Sequence, residues 1–362
     1  MKALTEIPSR SEVAWKHKAR DGLVAGVLPI HYPRELLRAF NILPMEIWGP
    51  PQVDATYGSA HVQPYICSVV RNALSFLKTA VQDTVDLVVV PHACDSLQGL
   101  GSLLLDFVQP EQPVIPLYLP RGSRGAALDF LADELRSVYT RLEAITDKSP
   151  CGADLMESVR REEQADGLLV RIHQRRRDIP LTDFEFYRLI RAREFLPAEE
   201  FSLLAERALG CKSEEGRSGI PVILSGIVPE PMGLFNAISD FGGTVAADDL
   251  ACCGRRLYPP GRSQDPFLRM AERILEAPPD STRGSPIRER LEHLLGLIET
   301  WGARGVVFHL VKFCEPELFD LPGLCKGLQD AGIPSVTVEI DLNDPLSNQA
   351  LTRIEAFFEM IA

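Results

Sequence analysis

Strand-sized runs of aliphatic and β-branched residues, closed off by Pro or Gly, recur in two blocks of this chain with helical stretches between them. The first block places them at residues 22–28, 45–48, 86–90 and 114–119, the second at 221–225, 244–247, 305–311 and 335–340. Runs with so little polar alternation suit strands covered on both faces, the environment of a parallel sheet. Helical patterns fall between them, among others at 35–40, 67–79, 234–240, 287–299 and 318–331, and supply the crossovers that parallel strands require. The expected fold is α/β, with two doubly wound parallel-sheet domains at residues 1–124 and 218–362 facing each other across a cleft. A chain of 362 residues exceeds the size that one core usually serves, which agrees with two domains. Between them, at 125–217, apolar residues three and four apart (Leu128, Leu131, Leu135 and Val138, then Leu168, Leu169 and Ile172) predict a helical linking segment. Residues 278–286, rich in Pro, Ser and Gly, read as a surface loop.

Charge narrows the partners. The formal net charge is −12, and phosphate backbones need clustered Lys and Arg, so a nucleic-acid partner is not expected. The densest basic run, Arg175-Arg176-Arg177, reads as the solvated face of a helix. Residues 1–20 are polar and mixed in charge, and the longest apolar runs are strand-sized, so neither a signal peptide nor a membrane span is expected and the chain is placed in the cytoplasm. In that compartment eight cysteines point to metal ligands or buried thiols rather than to a disulfide framework.

Ligands of open α/β sheets bind beyond the carboxyl ends of the strands, and cysteines fall there. The run at 86–90 leads into Pro91-His92-Ala93-Cys94-Asp95, and that at 305–311 into Lys312-Phe313-Cys314-Glu315-Pro316-Glu317. The run at 244–247 leads through Asp248-Asp249 to the vicinal pair Cys252-Cys253. Cys67 stands at the start of a predicted helix, as Cys94 and Cys314 do, where unpaired N–H groups and the helix dipole favour a thiolate. Thiolates are the ligands of iron–sulfur clusters, and three of them would leave one iron open. Spacing alone leaves a cluster, a zinc site and plain buried thiols open, although no C-x-x-C pair of the structural-zinc kind occurs.

The phrases around those thiols narrow the choice. Pro64-Tyr65-Ile66-Cys67-Ser68-Val69-Val70-Arg71, Pro91-His92-Ala93-Cys94-Asp95 and Lys312-Phe313-Cys314-Glu315-Pro316-Glu317 resemble, in that order, the 2-hydroxyacyl-CoA dehydratase and benzoyl-CoA reductase family. So do Tyr32-Pro33-Arg34-Glu35-Leu36-Leu37 with Ile42-Leu43-Pro44, Val245-Ala246-Ala247-Asp248-Asp249-Leu250, and Ala331-Gly332-Ile333-Pro334 with Val338-Glu339-Ile340-Asp341. The resemblance covers nearly the whole chain. It implies two flavodoxin-like domains with a [4Fe–4S] cluster between them on Cys67, Cys94 and Cys314. It also implies a homologous second subunit, a separate ATP-hydrolysing iron–sulfur activator and an acyl-CoA substrate. The reaction implied is removal of water from an (R)-2-hydroxyacyl-CoA through a ketyl radical; the alternatives are dearomatising reduction of benzoyl-CoA and a noncatalytic electron relay. Double-cubane relatives use extra cysteines, and segment Ser225-Gly226-Ile227-Val228-Pro229 carries none, so a single cubane is expected.

Cys252 or Cys253 would supply a further ligand in the relay alternative, and otherwise they are two small buried residues in a turn. The resemblance places Glu46 near substrate as a proton shuttle, against the plain reading of a strand-end carboxylate in solvent. His31 is a second candidate for hydrogen bonding or protonating substrate. His92 and His309 read as core histidines, with His92 a possible hydrogen-bond donor to cluster sulfur. Glu230 and Asp248-Asp249, after strand ends, read as helix caps, with holding substrate as the alternative, and Cys151, Cys211 and Cys325 as ordinary thiols. Neither G-x-x-x-x-G-K-[ST] nor G-x-S-x-G occurs, which removes a P-loop and a nucleophile-elbow hydrolase.

Overall fold

The computed structural model describes residues 6–48, 53–79, 83–121, 124–211 and 218–362. The first domain runs α1 (Arg10–Lys18), β1 (Leu23–Val27), α2 (Arg34–Ala39), β2 (Ile42–Glu46), α3 (Thr56–His61), α4 (Ser68–Thr79), β3 (Leu87–His92), α5 (Asp95–Ser102) and β4 (Val114–Tyr118). Its four strands are parallel, in the order β2-β1-β3-β4. The linking segment holds α6 (Arg124–Thr146), α7 (Gly152–Gln174), α8 (Asp183–Arg191) and α9 (Ala198–Gly210). The second domain follows as β5 (Ile220–Gly226), α10 (Gly233–Asp240), β6 (Gly243–Leu250), α11 (Pro266–Leu275), α12 (Ile287–Trp301), β7 (Val306–Val311), α13 (Glu315–Asp330), β8 (Ser335–Ile340) and α14 (Asn348–Ile361). Its sheet is again parallel, in the order β6-β5-β7-β8. Both sheets thus reverse direction between their first and third strands, as the doubly wound expectation requires.

Local chemistry sets the helix-to-strand turns. Asp21 and Asn41 take left-handed backbone at φ 57° and 62° and pass the chain from α1 into β1 and from α2 into β2; their short polar side chains tolerate that conformation. The second domain uses Gly302 and Gly332 for the corresponding turns, at φ 60° and 71°. Strand β2 begins three residues earlier than its apolar run implied, because Pro44 is accommodated inside it, and it sits at the sheet edge where a missing N–H costs least.

Helix α7 packs on α9 and α2, and α6 on α11, so the linking helices clamp both domains rather than merely connecting them. Buried charge runs along that seam. Arg193 meets Glu162 and Asp166, Arg273 meets Glu35 and Asp166, and Arg34 and Arg256 both meet Glu194. Such pairs cost desolvation and are weak evidence of stability; their geometry fixes one arrangement of the domains.

Two expectations need correction. Arg176 is not on a solvated face: it is 1% exposed, pairs with Asp183 at 2.9 Å and lies over the rings of Phe186 and Tyr187. The interior carboxylate and aromatic rings take its charge, which a polar sequence run cannot disclose. Residues 278–286 are not simply a surface loop either, since Asp280, Ser281 and Thr282 are buried and Ser281 hydrogen-bonds Glu317. No helix among the described residues is long and apolar enough to cross a membrane.

Candidate functional site

The carboxyl ends of the two sheets face each other. Strand β3 delivers Cys94 and strand β7 delivers Cys314, each as the N-cap residue of the next helix, α5 or α13. They follow the corresponding strand of each sheet, so the repeated strand order alone brings two thiols to matching places. Cys67 comes from a different device. It directly precedes α4, and the first turns of that helix are bound to the second domain: Arg71 donates to both oxygens of Asp341 at 2.8 Å. Asn72 and Asn343 exchange amide hydrogen bonds at 3.0 and 2.9 Å, and the Leu342 N–H reaches Ser68 Oγ at 3.4 Å. These contacts hold the start of α4 against the end of β8, beside β7.

The result is three buried thiols in one place. Cys67, Cys94 and Cys314 are 7, 9 and 6% exposed. Cys67 and Cys314 are near enough to shift each other's titration, and Cys94 feels the charge of Cys67 and acts on that of Cys314. The contact with Cys314, helped by the N–H groups of Val69 and Val70, lowers the pKa of Cys67. The same contact, then burial, holds Cys314 well above the ordinary thiol value, and burial pushes Cys94 up to about 12. A negative charge in this group therefore settles first on Cys67, at the mouth of a helix.

Among the described residues no three His, Cys, Asp or Glu side chains converge on a single ion. A cubane asks for something else, because each thiolate takes a different iron at a different corner. Three soft, buried donors from two domains suit that demand, and they are the residues here that could hold such a group. Their surroundings are firm. Arg121 donates to the Ala93 carbonyl at 2.8 Å. Glu317, in the first turn of α13, is kept ionised by Arg255 and Arg290 against its burial.

The remaining candidates lie along the same seam. His31, after β1, is 1% exposed and its Nδ1 is 2.8 Å from the Tyr258 hydroxyl. Glu46 ends β2 and is buried, not solvated as the plain reading had it: it pairs with Arg191 and, at 3.5 Å, with Arg10. It lines a cavity of about 660 Å³ with Trp48, Tyr187, Phe195, Arg191 and Glu230. Burial, then the nearby Glu46 charge, raises the pKa of Glu230. Cys252 and Cys253 are buried with their sulfurs 3.6 Å apart, and the charges acting most on Cys253 are those of Cys252, Asp248 and Arg191. Asp248 and Asp249 lie inside β6 rather than after it; Asp248 still accepts the N–H of Gly254 at 2.7 Å, at the start of the short turn Gly254–Arg256, while Asp249 pairs with Arg255.

The family model for 2-hydroxyglutaryl-CoA dehydratase, D-component, matches residues 29–361. The chain belongs to this family. It is 24% identical to the lactoyl-CoA dehydratase subunit beta of Anaerotignum propionicum, over 100% of this chain and 97% of that one. It is also 24% identical to the (R)-2-hydroxyglutaryl-CoA dehydratase subunit beta of Acidaminococcus fermentans, over 96 and 94%, and to a benzoyl-CoA reductase subunit of Thauera aromatica, over 93 and 92%. The alignments span both domains.

Membership gives meaning to residues that sequence reasoning passed over. Arg71 and Asp341 each stood inside a family phrase, yet nothing in a single sequence pairs positions so far apart. Arg191, which joins Glu46 to the Cys252 carbonyl at 3.4 Å, stood in an ordinary helical pattern. Tyr258 and Arg256 lie just past the vicinal cysteines and became visible only as partners of His31 and Glu194.

Proposed function

We propose that this chain is the cluster-bearing subunit of an oxygen-sensitive acyl-CoA enzyme that dehydrates (R)-2-hydroxyacyl-CoA. In this reading a [4Fe–4S] cluster sits on Cys67, Cys94 and Cys314. The observation that carries it is the meeting of three buried thiols, from both domains, where the carboxyl ends of two parallel sheets face each other. Bound there, the cluster supplies one-electron chemistry and an iron that can act as a Lewis acid. The chain's own part is to hold it dry and fixed. Cys67 accepts negative charge most readily, the Arg71–Asp341 pair keeps α4 against the second domain, and the buried Glu317–Arg255 pair steadies the helix that begins at Cys314. Glu46 and Glu230 are placed to accept or return protons within the cavity they line.

The relatives are named as single subunits of larger enzymes, two of them as beta subunits, which supports a partner subunit. The chain carries no P-loop, so ATP-driven electron delivery is assigned to a separate iron–sulfur activator. Reduction of an aromatic acyl-CoA is the second reading, favoured by the equal 24% identity to the benzoyl-CoA reductase relative. The anaerobic complex, mixed with activator, ATP and either a 2-hydroxyacyl-CoA or benzoyl-CoA, tests both. Formation of the enoyl-CoA is the expected result. A cyclic diene from benzoyl-CoA moves the assignment to the second reading, and turnover of neither by an iron-replete complex contradicts both.

A further inference from the structure

His31 occupies the loop after β1, where the first sheet reverses direction and where a ligand of such a sheet is expected. Its ring is tilted 55° to that of Tyr258, with the centroids 5.7 Å apart. The Tyr258 oxygen lies 2.8 Å from His31 Nδ1 and also accepts a hydrogen bond from Arg256 Nε at 3.2 Å. Arg256 is held in turn by Glu194 at 2.8 Å.

Counting hydrogens settles what passes between the tyrosine and the histidine. Arg256 is a donor only, so the Tyr258 oxygen is an acceptor towards it. The single phenolic hydrogen has His31 Nδ1 as its acceptor among the described residues. Were Nδ1 to carry a hydrogen instead, that phenolic hydrogen would be buried without a partner, a cost of about 1–3 kcal/mol. Nδ1 is therefore the acceptor, and a neutral ring must carry its hydrogen on Nε2. Burial of the ring, and then the cations Arg283, Arg256 and Arg255 near it, disfavour a second proton. Nε2 makes no hydrogen bond among the described residues and remains the free end.

We infer that His31 serves the acyl-thioester site as a neutral hydrogen-bond donor through Nε2, and that Tyr258 is the positioning residue that fixes this tautomer. This rests on the acyl-CoA reading above. It gives His31 a narrower role than protonating substrate: a ring kept neutral donates a hydrogen bond to an oxygen without transferring the proton. The Arg256–Glu194 pair extends the support into the linking helices, so the orientation of His31 depends on all three parts of the chain.

The test has two arms. In the holoenzyme, labelled with ¹⁵N-histidine and kept oxidised under anaerobic conditions, the His31 resonances are assigned by their loss in His31→Gln. The expected pattern is an unprotonated Nδ1 and a protonated Nε2, unchanged from about pH 5 to about pH 8, the range in which a free imidazole titrates. Tyr258→Phe should give a mixture of tautomers. A protonated Nδ1 in the unaltered enzyme, or a titration within that range, overturns the inference. The second arm compares kcat/KM for the acyl-CoA. A glutamine amide reaches the Nε2 position and an asparagine amide does not. His31→Gln should therefore lose about threefold, Tyr258→Phe roughly tenfold and His31→Asn about thirtyfold or more, the scale of one weakened or lost hydrogen bond. Equal losses for Gln and Asn overturn the donor role even with the expected tautomer. An unaltered complex that turns over no acyl-CoA overturns the acyl-CoA reading and the donor role together, and the tautomer measurement still stands on its own result.

Discussion

The two sheets share one strand order but not one share of the site. In each, the third strand hands a cysteine to the start of a helix, Cys94 in the first domain and Cys314 in the second. The first domain then adds Cys67, and the second holds the helix behind Cys67 through Asp341, Leu342 and Asn343. The second domain also carries more internal charge and more buried polar groups: Arg255 pairs with Asp249 and Glu317, and His309 lies wholly buried on β7. The matching strand of the first sheet, β3, is apolar except for His92 at its end. Repeated topology thus explains why two thiols oppose each other, while individual side chains explain why a third joins them.

That contrast can be broken most sharply at the thiols. Cys314→Ala removes the second domain's only contribution to the trio, and Cys94→Ala removes its counterpart. Each should abolish acyl-CoA turnover with the fold intact by circular dichroism, because a cubane lacking one of three thiolates is exposed and labile. Substantial turnover in either variant would mean that the symmetry of the sheets is not what places the chemistry.

Buried histidines, His31 in the first domain, His173 in the linking helices and His309 in the second, should appear in the pH dependence of stability. Burial lowers the pKa of His309 and of His173 to about 4, and holds that of His31 well below the ordinary imidazole value. The unfolded chain protonates these rings near pH 6.5, so between about 6.5 and about 4 it binds protons that the folded chain refuses. Stability is then full above about pH 6.5 and falls as pH falls, by up to about 1.4 kcal/mol per pH unit for each ring. Urea unfolding at a series of pH values should show that slope, and His309→Gln should reduce it by about a third, the buried His31 and His173 keeping the rest. An unchanged slope in the variant would assign acid sensitivity elsewhere.

A smaller effect tests the clamp between the domains. Arg71 and Asp341 are 20 and 16% exposed at their side chains, so the pair, one guanidinium nitrogen on both carboxylate oxygens, is partly desolvated. Arg71→Ala should cost about 1–2 kcal/mol in unfolding free energy and loosen the start of α4. Faster loss of iron in air than in the unaltered protein is the signature expected. The least effect belongs to the vicinal pair: Cys252→Ser with Cys253→Ser should retain its iron, since the environment of these thiols is Arg191 and Asp248. Loss of iron there would favour the relay alternative.

Much of the fold was legible because buried parallel strands leave short apolar runs whatever their partners; the run at 335–340 coincides with β8. Family phrases and helix-start positions singled out Cys67, Cys94 and Cys314, and the structure buries all three. Contacts between distant charges were not legible. Arg176 looked like a solvated cation, Asp249 looked like a cap, and Glu46 gave no sign of Arg191, because a single sequence reports which residues are charged but not which opposite charge meets them in the interior.

The most direct measurement is iron and acid-labile sulfide on protein purified without oxygen, with Cys67, Cys94 and Cys314 intact and with all three changed to alanine. Three thiolates gripping one cubane predict equal iron and sulfide, amounting to one cluster per chain, in the first and neither in the second. Protein with no stoichiometric iron and sulfide, or a triple variant that keeps its full complement, would contradict that prediction.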